Sequence, residues 1–194
     1  MRIVLATRNP NKPREFRASW PEADFVGLDV VGIEGDAPEE EPTFAGNARS
    51  KALWTAARAP GVAVLADDSG LEVGALGGAP GVRSRRFAPE ATDTANNALL
   101  LRRLQGIEDR QAAFVCALCL ALPNGRIIEV EGRVDGQIGT TARGKDGFGY
   151  DPLFLPVGGH GRSMAEMSLA EKAALSHRGR AIERLRAHQD LRTS

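Results

Sequence analysis

Apolar blocks of strand and helix length alternate along this chain with short polar breaks. Arg2 to Ala6 is short, apolar and β-branched, and it stops at Thr7-Arg8-Asn9-Pro10-Asn11-Lys12, which predicts a buried strand and a polar turn. Pro13 opens a predicted helix to about Ser19, since proline's missing N–H would be unpaired in a first helical turn anyway. Asp24 to Ile33 predicts a second strand. Thr43 predicts the N-cap of an alanine-rich helix to about Arg58, with Leu53 and Trp54 on its apolar side. Val62 to Ala66 predicts a third strand ending at Asp67-Asp68-Ser69-Gly70, with Leu71 to Val73 able to continue it.

Gly74 to Pro89 is rich in glycine, proline and arginine and predicts mainly loop, before a helix from Thr92 to Leu104. Arg110 to Leu122 and Arg126 to Ile138 predict an antiparallel hairpin about Pro123-Asn124-Gly125. A glycine-rich loop, Gly144 to Tyr150, precedes Asp151-Pro152-Leu153-Phe154. Ser168-Leu169-Ala170-Glu171 is a capping-box pattern opening a helix to about Arg178, with a helical tail to about His188. The elements predict an α/β fold in one domain over residues 1–194, a mixed sheet flanked by helices and not a purely parallel one.

Composition narrows the functional classes. The 194 residues carry 25 Lys+Arg against 25 Asp+Glu, so there is no basic excess for coating nucleic acid or an anionic membrane. An anion bound here is expected to be small and locally captured. The longest apolar run, Ala112 to Leu122, is too short to span a bilayer, and the first residues lack a signal-peptide pattern, which together predict a cytoplasmic protein. Cys116 and Cys119 stand as C-x-x-C, but within a strand residues three apart face opposite ways, so they are expected to pack in the core.

Five polar clusters sit where apolar segments end, the places where open α/β sheets bind ligands. Thr7 to Lys12 offers backbone N–H groups and a lysine to an anion, without the P-loop spacing. Asp67-Asp68 places two carboxylates side by side; a hard divalent cation would relieve their repulsion, and an Asx-type turn is the alternative. Glu39-Glu40-Glu41 is a surface charge run or the source of one further metal ligand. Gly147-Phe148-Gly149-Tyr150-Asp151 brings backbone close to a ligand and offers a ring to a base. Lys172 with Ser176-His177-Arg178-Gly179 supplies donors to phosphate or to a carbonyl.

In order along the chain, these segments resemble the inosine/xanthosine triphosphate pyrophosphatase family. The matching stretches are Leu5 to Lys12, Thr43-Phe44-Ala45-Gly46-Asn47-Ala48 with Lys51-Ala52, Ala66 to Leu71, and Gly77 to Val82. They continue with Gly147 to Pro152, Glu171-Lys172 and Ser176 to Gly179. The resemblance implies a long mixed sheet between two lobes with the site in the cleft, a homodimer, Mg²⁺, and ITP, dITP and XTP as substrates cut to monophosphate and pyrophosphate. It implies that Thr7, Arg8, Asn9, Pro10, Asn11 and Lys12 hold the triphosphate and that Asp68 is both metal ligand and proton acceptor. It places Ser69, Lys51 and Lys172 on substrate, Phe148, Gly149, Tyr150 and Asp151 at the nucleoside, and His177-Arg178 at the base edge. It implies a second metal ligand in the acidic loop, Glu39 or Glu40, Glu39 being preferred. The chain departs from the family pattern at Gly46, Arg83 and Phe87. A pyrophosphatase for modified pyrimidine nucleotides and a non-catalytic nucleotide sensor are the rival readings.

Overall fold

The computed structural model describes residues 2–188; Met1 and residues 189–194, the ends of the expected 1–194 domain, lie outside the described residues. Among the described residues six strands form one mixed sheet in the order β2-β1-β3-β4-β5-β6. These are β1 (Arg2–Leu5), β2 (Asp24–Val26), β3 (Ala63–Val73), β4 (Gln111–Ala121), β5 (Ile127–Ile138) and β6 (Phe154–Pro156). β1 runs parallel to β2 and β3, while β3, β4, β5 and β6 pair antiparallel in turn. The expected mixed α/β sheet is therefore present, and its hairpin turns where Gly125 takes a left-handed φ of 83°.

Among the described residues there are five α-helices: α1 (Lys12–Ser19), α2 (Phe44–Ala56), α3 (Asp93–Arg103), α4 (Leu169–Leu175), which packs on α1 and α5, and α5 (His177–Ala187). Strand side chains alternate between faces, so each face gathers its own core. Ile3, Leu5, Leu65, Cys116 and Leu118 pack with Phe16 of α1 and Ile182 of α5. Val4, Val64, Ala66, Ala117 and Cys119 pack under Ala48 and Ala52 of α2. The two cysteines thus sit in opposite cores as free thiols, and burial pushes the Cys119 thiol up to about 12. A third core joins Leu71 and Val73 of β3 to Leu100 of α3, Tyr150, Phe154 and Met164, forming the second lobe.

Several sequence expectations are corrected. The second strand is limited to Asp24–Val26, because a 3₁₀ turn at Asp29–Val31 and a left-handed Gly32 (φ 67°) end it before Ile33. The third strand does not stop at Ala66: β3 runs unbroken through Asp67-Asp68-Ser69-Gly70, paired with Leu118, Ala117, Cys116 and Val115 of β4. Gly74 to Pro89 holds two 3₁₀ helices, Gly74–Leu76 and Gly81–Arg86. Leu53 is 43% exposed, and the buried stripe of α2 is Phe44, Asn47, Ala48, Lys51, Ala52 and Thr55, which carries polar residues inward.

The helix expected to run from Ser168 to Arg178 is two helices. Ser168 caps α4 with both halves of the capping box in place. Ser176 then leaves helical geometry (ψ 161°) and caps α5, its hydroxyl accepting from Gly179 N at 3.1 Å. A Cβ on Gly179 would lie 1.9 Å from the carbonyl oxygen of Ala173, so the break needs glycine there. It makes His177 and Arg178 the first residues of a new helix instead of the end of an old one.

Candidate active site

A cavity of about 680 Å³ opens between the lobes, within the usual range for small-ligand sites. It is lined by the turn Thr7, Arg8, Asn9, Pro10, Asn11 and Lys12, by Glu39, Lys51, Asp68 and Ser69, and by Phe148, Gly149, Tyr150 and Asp151. Lys172, His177 and Arg178 close the remaining wall. Of the sequence candidates, Asp67, Glu40, Glu41, Gly147 and Gly179 do not line this space, and of the two glutamates weighed for a metal, Glu39 does.

The adjacent carboxylates do not confront one another as their spacing suggested. Because β3 is a continuous strand, Asp67 projects toward α1 and α5, and Asp68 toward α2. Asp67 is buried against Lys12 Nζ at 2.7 Å and Arg178 Nη2 at 3.0 Å, and Ser69 Oγ donates to it at 3.2 Å. Burial alone would raise its pKa, but Lys12, Arg178 and Lys51 outweigh that and hold it far below the usual carboxylate range. Asp68 accepts from Lys51 Nζ at 2.9 Å and from Asn47 Nδ2 at 3.1 Å. Burial raises its pKa despite Lys51. The surroundings thus push the two neighbouring carboxyls in opposite directions.

On the Asp67 side, six charges balance. Glu15 accepts from Arg178 Nη1 and lies 3.3 Å from Lys172 Nζ, which is itself 2.5 Å from Asp151. Asp67, Glu15 and Asp151 thereby neutralise Lys12, Lys172 and Arg178. Arg178 also donates to Ser69 Oγ at 2.9 Å, so four of its five N–H groups meet acceptors in this cluster and one on Nη1 remains. His177 stacks on Phe114 (4.8 Å, 15°), and burial beside Arg178 holds it neutral, well below its ordinary pKa of 6.5. Its Nδ1 is buried without a hydrogen-bond partner.

The aromatic loop is held by its neighbours. Phe148 N donates to Asp151 Oδ2 at 3.0 Å, Gly149 N to Asp93 Oδ2 at 2.7 Å, and Asn97 Nδ2 to Gly149 O at 2.8 Å. Gly147 has φ 88°, and a Cβ there would stand 2.0 Å from Asp151 Oδ2. The Phe148 ring lies about equally far from Lys172 Nζ (6.0 Å) and the Arg178 guanidinium (5.9 Å). Tyr150 is buried, and its hydroxyl donates to Ser84 O at 2.8 Å, tying the loop to the 3₁₀ arm. Arg8 reaches away from Lys12 to the carbonyls of Ile33 and Gly35 and to Asp36, bracing the acidic loop.

Glu15, Asn47, Asp93 and Phe114 were not singled out from the sequence. Two carried a usable signal: Glu15 is three residues after Lys12 on α1, and Asn47 four before Lys51 on α2, the spacings that share a helix face. The other two depend on tertiary contact alone.

No group of three or more His, Cys, Asp and Glu among the described residues is arranged to hold a metal. The donor set still fits a hard divalent ion that takes one or two carboxylates and completes its shell with substrate oxygens. Glu39 Oε1 and Asp68 Oδ1 converge on one cation, Lys51 Nζ, at 2.9 Å each, and the three groups sum to one negative charge.

Fold and cavity together define a phosphate-handling enzyme of mixed α/β build. More narrowly, the chain belongs to the Ham1 family, whose model matches residues 3–188. It is 49% identical over 191 residues to a dITP/XTP pyrophosphatase of an Exiguobacterium species, covering 96% of each chain. It is 47% identical to one from Thermus thermophilus, covering 95% of this chain and 90% of that protein. The structure of the Staphylococcus aureus Ham1 protein superposes with a TM-score of 0.85 at 37% identity, over 96% of this chain and 97% of that one. A dITP/XTP pyrophosphatase from Mycobacterium abscessus gives 0.75 at 44%, over 97% and 100%.

Proposed function

We propose that this cavity hydrolyses non-standard purine nucleoside triphosphates (ITP, dITP and XTP) between the α- and β-phosphorus, releasing the monophosphate and pyrophosphate. The observation that carries the reading is the division of labour in β3: Asp67 anchors cations while Asp68, its pKa raised by burial, faces the cavity beside Lys51. A group with raised pKa accepts a proton more readily, which suits Asp68 to take one from an attacking water. Lys12, Lys51 and Lys172 supply positive charge to the phosphates and the departing pyrophosphate. Glu39 and Asp68 would hold Mg²⁺, whose charge, when bound, neutralises phosphate oxygens.

The base is read by polarity. Hypoxanthine and xanthine present an acceptor oxygen at C6, adenine an amino donor. Neutral His177 and the remaining N–H of Arg178 offer donors, so adenine would set donor against donor in a buried pocket. Phe148 gives the base a face to stack on. The same reading takes residues 1–194 as one domain that works in the cytoplasm as a homodimer, without membrane or nucleic acid. No helix among the described residues is long and apolar enough to cross a membrane.

Pyrophosphate release from ITP, dUTP and ATP, each with and without Mg²⁺, tests it. ITP is expected to be preferred, and only with the metal. Equal turnover of ATP, or a preference for dUTP, overturns the base reading; no release from any of them overturns the activity.

A further inference from the structure

The contact between Lys51 and both carboxylates has a consequence for how a metal enters, resting on Glu39 and Asp68 as its ligands. Lys51 is 6% exposed, so water screens little of its charge. Its Nζ lies 2.9 Å from both Glu39 Oε1 and Asp68 Oδ1, close enough for its charge to act on the two carboxylates together. Asp68 is bound on both oxygens, Oδ1 by Lys51 and Oδ2 by Asn47. Lys12 and Arg86 add positive potential at Glu39, but Lys12 is bonded to Asp67 and Arg86 is exposed, so Lys51 governs the contact.

The charges then decide the order of events. Glu39, Asp68 and Lys51 sum to one negative charge, and a divalent ion on the two carboxylates would make the cluster positive, with a second cation against it. A triphosphate reverses that imbalance and gives the ammonium an alternative partner. We infer that Lys51 makes metal binding conditional on nucleotide: its ammonium holds Glu39 and Asp68 when no nucleotide is bound and yields them when phosphate arrives. Metal and nucleotide then strengthen each other's binding by the same factor, as linkage requires. Without Lys51 the pair would carry two negative charges, which a divalent ion alone neutralises.

Manganese, followed by electron paramagnetic resonance of the free ion, is titrated into wild type, K51M, K51R and K51M/D68N, with circular dichroism checking the fold. Each is measured nucleotide-free and with α,β-methylene-ITP. K51M is expected to bind the metal alone about tenfold or more tighter than wild type, and to lose most of the enhancement given by the analogue. K51R, which keeps the charge, should resemble wild type, and K51M/D68N should lose the gain. If K51M binds no tighter than wild type, or K51R behaves as K51M does, the role of Lys51 falls while an Asp68-dependent metal site stands. If binding is independent of Asp68 in every state, the metal assignment itself fails, and this inference with it.

Discussion

Replacing each of the neighbouring aspartates by asparagine should produce opposite defects. Asp67 is wholly buried and shared by Lys12 at 2.7 Å and Arg178 at 3.0 Å, whose side chains are 13% and 1% exposed. Asp67→Asn leaves those cations with Glu15 alone against Arg178, and removing one partner of a buried pair costs about 3–5 kcal/mol. For a chain of this size each kcal/mol lowers Tm by about 2–4 °C, so the fall should be roughly 6–20 °C. Asp68→Asn leaves Lys51 bonded to Glu39, and the new amide oxygen can accept from Asn47 or from Lys51 but not from both. Relief of a desolvated charge offsets the lost pairing, so stability should change by less than about 1 kcal/mol, while loss of the proton acceptor lowers kcat by about 10²–10⁴. Differential scanning calorimetry beside pyrophosphate release reads both. If Asp68→Asn melts as early as Asp67→Asn and still turns over like wild type, the division of roles is wrong.

The remaining predictions concern pH, selectivity and the loop. His177 is held neutral well below 6.5, so the unfolded chain takes up a proton that the folded chain refuses; stability is whole above pH 6.5 and falls by about 1.4 kcal/mol per pH unit below it. Urea denaturation between pH 7 and about 5 should show this slope reduced in His177→Asn; parallel curves would place the histidine's proton elsewhere. Glu15→Gln removes the carboxylate between Arg178 and Lys172, so the ratio of kcat/KM for ITP over ATP should fall by about tenfold, the worth of one charged hydrogen bond; an unchanged ratio would show that Glu15 does not orient the base reader. Gly147→Ala forces a Cβ into the Asp151–Lys172 pair at a left-handed φ, and should raise KM for ITP; a wild-type KM would mean that the loop relaxes freely.

How far the chain reveals this arrangement depends on whether an interaction is local. Thr43, Thr92 and Ser168 announce their helices because a cap is settled within four residues. The hairpin at Asn124-Gly125 and the opposed cysteines follow from turn chemistry and strand alternation alone. Thr7 to Lys12, Asp68-Ser69, Lys172 and His177-Arg178 were legible as polar breaks, and they line one cavity. The error at Asp67-Asp68 is the instructive one. Two adjacent carboxylates argue against a strand interior unless cations arrive from both faces, and those cations come from residues 12, 51 and 178. The break at Ser176 is different: its cap is equally local, Ser176 Oγ accepting from Gly179 N, but it lies inside a continuous helical pattern, and the close approach of Gly179 to Ala173 O shows only in the folded chain. Charges that would forbid an element when taken alone become its anchors once their partners are distant in sequence. A polar stretch inside an otherwise apolar strand is therefore better read as a request for long-range counter-charges than as the strand's end, and in this chain Lys12, Lys51 and Arg178 supply them, each from the segment flanking the cavity that Asp68 faces.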